Sequence, residues 1–196
     1  MANADTPFGL KPYRYINGSP WNGKVNMYYI SATDATRVGR GDPVKLMGSA
    51  DSTGKYPTVA RATTGGRFVG VAVGFGNNAN GFFDYTNLNR AYRPASTAMY
   101  AAVVDDPDVI FLCQEDSATG ALAATNVSGN CDLVIGNCAT GNGLSISEVD
   151  SSSFTSSTSA QVRLLRIADM EGNAVGSQAK WEVLILEHQL RTATGA

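Results

Sequence analysis

The chain has 196 residues, a formal net charge of −2 and a charged fraction of 16%, against about 25% in an average soluble domain. A chain of this size buries roughly 70% of its unfolded surface, so it needs neither a disulfide framework nor a structural metal to fold. Lys and Arg are spread thinly from Lys11 to Arg191, which excludes the basic stripe that phosphate neutralisation requires and, with it, a nucleic-acid partner.

Residues 1–9 carry neither a basic region nor an apolar stretch of the kind that targets secretion. No apolar run approaches the roughly 18 residues of a membrane span, so the expectation is a chain made in the cytoplasm with no membrane partner. Few charges beside a 43% apolar content imply a surface partly covered by partners.

Turn residues punctuate the chain. Gly18, Gly23, Gly41, Gly48, Gly54, Gly65, Gly66, Gly81, Gly129 and Gly143 separate short runs rich in Val, Ile, Tyr and Thr, which predicts a mainly β protein, a sandwich or barrel with little helix. Residues 1–23 are read as an extended N-terminal arm, since 6–21 hold three prolines and four aromatics without a helical period. Two readings of the arm stand open: a strand laid over the chain's own core, or an arm gripping a neighbouring subunit. Residues 24–196 are read as one β-rich domain.

Strands are predicted at 24–30, 41–47, 56–62 and 68–75, with 34–40 a polar connection and 68–75, apolar on both faces, the most buried strand. Residues 76–89 read as a long Asn- and Gly-rich loop. Strands at 97–104 and 109–115 flank the turn Asp105-Asp106-Pro107-Asp108, which reads as a hairpin. One or two helical turns are expected in 120–126, a short strand at 131–138, and an exposed Ser/Thr loop at 150–160. A second hairpin joins 161–167 to 180–186.

The chemistry-bearing residues are few. Gly74-Phe75-Gly76-Asn77-Asn78-Ala79 matches the dinucleotide fingerprint in letters, but Asn80-Gly81-Phe82-Phe83 is a poor start for the helix that must meet the pyrophosphate. Arg40-Gly41-Asp42 reads as a loop entering a strand. Asn17-Gly18-Ser19 and Asn126-Val127-Ser128 fit the glycosylation pattern, which matters only in a secretory pathway.

Asp105, Asp106, Asp108, Glu115 and Asp116 have no calcium-loop spacing and read as a solvated acidic tip. Cys113, Cys131 and Cys138, with His188 the single imidazole, cannot complete a tetrahedral zinc set unaided and read as reduced, partly buried small hydrophobes. A Cys131–Cys138 bridge is sterically open but disfavoured by cytoplasmic synthesis. His188 reads as a surface or interface histidine. No cofactor is expected.

Several strings together are familiar: Thr6-Pro7-Phe8-Gly9-Leu10, Gly41-Asp42-Pro43-Val44, Val69-Gly70-Val71-Ala72-Val73-Gly74-Phe75, Asp105 to Phe111, and Ala179-Lys180-Trp181-Glu182-Val183. With them the chain resembles capsid cement, or head decoration, proteins of tailed bacteriophages. The resemblance implies a β-rich protein with a jelly-roll-like core, made in the bacterial host cytoplasm and located in the virion on the outer surface of the capsid. It implies the major capsid protein and further copies of the chain, as a trimer or dimer, as partners, and it brings no catalytic residues.

Phe8, Tyr13, Tyr15 and Trp21 of the arm are the candidate interface, because aromatics favour such positions and a proline-containing segment loses little entropy on ordering. Two other functions are kept beside this one: a tail, fibre or receptor-binding β-module, and a small hydrolase centred on His188. On the cement reading, removal of 1–21 is expected to leave the β-core folded.

Overall fold

A computed structural model describes residues 3–79, 82–83, 90–139, 141–156 and 159–191. The chain is mainly β with several sheets, as the alternation of apolar runs and turn residues requires. The strands are β1 (Lys11–Tyr15), β2 (Asn26–Ile30), β3 (Val38–Gly39), β4 (Pro43–Ala50), β5 (Pro57–Arg61), β6 (Gly70–Ala79), β7 (Phe82–Phe83) and β8 (Tyr92–Arg93). The second half contributes β9 (Met99–Val104), β10 (Val109–Gln114), β11 (Asn130–Cys131), β12 (Leu133–Val134), β13 (Glu148–Val149), β14 (Val162–Ile167) and β15 (Lys180–Ile185).

The first half closes on itself. One sheet runs β4-β5-β2-β9-β6-β7, and a further β4–β6 pairing joins the ends of the ring made by β4, β5, β2, β9 and β6. Such closure removes the exposed edges an open sheet would offer. Its interior is the cluster of Ile30, Val44, Val59, Ala72, Phe75, Met99, Ala101 and Val103, all buried.

Alternation puts Met99, Ala101 and Val103 inside, whereas on β6 the inward residues are Ala72 and Phe75, three apart. A register shift between Ala72 and Gly74 accounts for the break in parity, because a bulge adds one residue and turns the following side chains to the other face. That bulge leaves Val73 and Gly74 on the outside of the barrel, beside Ala102.

The second half forms an open sheet, β1-β10-β15-β14-β11. Its inner face supplies Phe111, Cys113, Val162, Leu164, Trp181 and Val183, and these share one buried cluster with Val71 and Val104 of the barrel wall. On the outer face Arg14 and Arg166 both bind Glu182, at 2.5 Å and 3.0 Å. The architecture is thus a barrel against whose outside a sheet packs, with the shared apolar layer between them.

The N-terminal segment belongs to this chain's own fold over residues 11–15: β1 pairs antiparallel with β10, from Lys11 opposite Leu112 to Tyr15 opposite Val109. Upstream, the buried Gln114 amide donates to the Ala4 carbonyl and accepts from the Thr6 N–H, and Asn3 donates to the carbonyls of Ala174 and Ser177. Gly9 and Gly41, with φ of +72° and +92°, let the two backbones touch. A Cβ on Gly9 would strike the Gly41 carbonyl.

Several expectations are corrected. Asp105-Asp106-Pro107-Asp108 is a crossover, not a hairpin: β9 pairs with β2 and β6, whereas β10 pairs with β1 and β15. Both strands are apolar enough to be central, and a four-residue link serves equally to change sheets. Asp105 stabilises the crossover by accepting from the Tyr28 hydroxyl at 2.7 Å and the Asn26 amide, so it is buried and not a solvated tip.

The most buried strand is β10, covered at every position, because it is central in its sheet and faces the barrel, whereas β6 has partly exposed positions at its bulge. Residues 76–79 continue β6 and pair with β7 where a loop was expected. Positions 80, 81 and 84–89 lie outside the described residues.

Smaller differences follow the same logic. Val38–Gly39 inserts a strand into the predicted connection by pairing with β8. Helix in 120–126 shrinks to a 3-10 turn at Ala124–Asn126, and 131–138 contributes the ends of two short strands instead of one. In the Ser/Thr stretch, Asp150 caps a 3-10 turn at Ser151–Ser153 by accepting from Ser152 N–H, and Ser151 is buried. The 161–167 and 180–186 hairpin is present as β14 paired with β15.

Candidate functional site

His188 and the three cysteines lie inside the fold. His188 is buried rather than at the surface, because 186–189 fold back onto Phe68 through a parallel bridge and a Gln189 N–H bond to the Phe68 carbonyl. Its Nδ1 accepts from Leu190 N–H at 3.2 Å, which places the neutral ring's proton on Nε2. Burial pulls its pKa below the ordinary imidazole value.

The three cysteines are free and buried. Burial pushes the Cys131 thiol up to about 12 and raises Cys113 and Cys138 as well, so they are thiols and not nucleophilic thiolates. Among the described residues no group of three or more His, Cys, Asp or Glu side chains is arranged to hold a metal ion.

The sequence motifs resolve similarly. Gly74 and Gly76 lie inside β6, so no helix starts there. Asp42 of the Arg40-Gly41-Asp42 string is fully buried and accepts from Gly39 N–H at 2.7 Å, leaving only Arg40 at the surface. Asn17 accepts from the Ser19 N–H and hydroxyl, a side-chain turn that shapes the loop after β1.

One carboxyl stands apart. Glu148 is raised to about 7 by burial, then by the charges of Asp5 and Asp116, and its Oε1 is buried without a hydrogen-bond partner. It faces the N-terminal segment through Asp5.

Among the described residues a predominantly apolar groove of about 810 Å³ opens at the surface. It is lined by Val73, Gly74 and Ala102 of the barrel wall, by Leu112 of β10 and by Phe8, Pro12 and Trp21 of the N-terminal segment. The bulge in β6 presents Val73 here, and β1, as terminal strand of the open sheet, provides the rim.

Of the four residues expected at an interface, Phe8 and Trp21 line this groove. Tyr13 is 44% exposed on β1. Tyr15 packs against the shared core cluster and donates its hydroxyl to Asn22 at 3.2 Å. Arg40, Val73, Ala102 and Met170 also belong to the groove; the sequence carried no sign of them, since their proximity comes from the docking of the open sheet on the barrel.

No helix of the described residues is long and apolar enough to cross a membrane. No family model, curated protein or solved structure matches the chain.

Proposed function

We propose that this chain is a structural virion protein: a cement or decoration protein that binds the outer surface of a phage capsid and stabilises contacts between major capsid protein subunits, acting as a trimer or dimer. The observation that carries the reading is the groove beside Phe8 and Trp21, an apolar opening on the very segment whose aromatics mark it as an interface. Burial of such a surface against a partner is favourable at about 25 cal/mol per Å² of apolar area. Repetition over a lattice turns modest contacts into strong ones collectively.

Two further features support it. His188, the three cysteines, Asp105 and Glu115 are all buried in structural roles, which suits a protein that works by surface. The near-neutral charge suits the outside of a shell better than a lining against packaged nucleic acid.

The test is cryo-electron microscopy of the source particle, in which density for this chain is expected on the outer shell. Density confined to the tail would favour a fibre or receptor-binding module instead, and absence from purified particles would remove the virion role.

A further inference from the structure

The groove carries more information than its size. Three cations, Lys11, Arg40 and Lys180, and no acidic residue are among its described lining residues. The ion pairs among the described residues use Arg14, Lys24, Arg166 and Arg191, so these three are left without an ion-pair partner. Asp42 follows Gly41 but is buried and bound to Gly39 N–H, and Asp169 and Glu171 flank Met170 in sequence without lining the groove.

The opening also has a direction. Among the described residues no further strand pairs beyond β1 in the sheet. The returning chain covers its far half, through the Arg14–Pro20 bridge and the Trp21 N–H bond to the Tyr13 carbonyl. Lys11 and Pro12, at the near half, border the groove. An extended backbone can therefore lie along this rim with its side chains against the apolar lining, a common mode of peptide recognition.

From the apolar lining and the unpaired cations, we infer that the groove binds an extended partner-chain segment in which aliphatic side chains are flanked by Asp or Glu. The aliphatic groups occupy the space over Val73, Gly74 and Ala102. The carboxylates pair with Arg40 and the two lysines. This inference rests on the reading that the chain binds a capsid shell, and it names the chemistry of the shell segment.

The experiment rebinds purified protein to source capsids stripped of it. Wild type is compared with Lys11→Glu/Arg40→Glu, whose side chains are exposed and whose exchange should leave thermal unfolding unchanged. Wild type is expected to rebind, and the double reversal to lose about tenfold or more in affinity, since like charges across an interface are strongly disfavoured. The difference should shrink as salt is raised.

A photo-cross-linking amino acid at Met170 should then label a shell peptide rich in aliphatic and acidic residues. Equal rebinding of both proteins, or labelling of a peptide without carboxylates or of a second copy of this chain, would overturn the groove assignment while leaving the capsid role intact. Failure of wild type itself to rebind would overturn both.

Discussion

Beside the barrel, the fully buried Arg93 donates from Nε to the Thr97 carbonyl at 2.6 Å, from Nη1 to Thr36 at 2.7 Å and from Nη2 to Ser31. At the β1 edge, Arg40 and Lys11 are exposed and make no ion pair among the described residues. Cationic side chains are consumed by the fold in the first region and left open in the second. The contrast marks the second region as the one with charge free to meet a partner.

The largest test of this contrast is removal of residues 1–21. Because β1 covers one edge of β10 and Gln114 is bonded to Ala4 and Thr6, the deletion is expected to abolish a cooperative thermal transition, not merely to weaken binding. Retention of the wild-type melting profile would return the segment to the role of a free arm.

Next comes Arg93→Ala. It removes the donors to three part-buried carbonyls, of which Ser31 keeps its bond from Asp34 N–H, and opens a cavity; a loss of about 2–4 kcal/mol in urea unfolding is expected from those two mechanisms together. A loss below about 1 kcal/mol, the range of ordinary surface changes, would mean the guanidinium is not the clamp described.

Glu148 gives a smaller effect with a sign. Its folded-state pKa of about 7 lies above the ordinary 4.5, so the folded protein keeps the proton longer than the unfolded chain. Stability from this group is full below the unfolded value, falls as pH rises through about 7 and is flat beyond. Glu148→Gln should therefore stabilise the protein above pH 7, by about 1 kcal/mol once solvent screening is allowed for. Below the unfolded pKa it should change nothing. A pH-independent difference in melting temperature would contradict this assignment.

The smallest effect on stability, with a clear effect on binding, is expected from Gly74→Val. A Cβ there meets Ala102 Cβ at 3.7 Å, an ordinary contact, so unfolding should shift by no more than about 0.5 kcal/mol, while the added side chain fills the groove and lowers partner affinity. Unchanged affinity would show that the groove is not used.

Much of the fold was legible because its signals are local. Alternation located β2, β4, β5, β9, β10, β14 and β15 to within a few residues, and the runs at 161–167 and 180–186 marked the last hairpin. What stayed hidden depends on partners distant in sequence. Nothing in Asp105-Asp106-Pro107-Asp108 distinguishes a hairpin from a change of sheet; the difference lies in Tyr28 and Asn26, which hold Asp105 from another strand.

The burial of His188 was equally hidden, since it depends on Phe68. For the site, Phe8 and Trp21 were marked by their own chemistry. The bulge that brings Val73 to the groove and the docking that adds Arg40 leave no local trace.

The most direct measurement is a cryo-electron microscopy map of the source particle at side-chain resolution. The proposal predicts this chain on the outer capsid surface, with the groove lined by Phe8, Trp21 and Val73 turned toward the shell and filled by an acidic, aliphatic segment of it. Density for the chain with that groove open to solvent, or located away from the capsid, would contradict it.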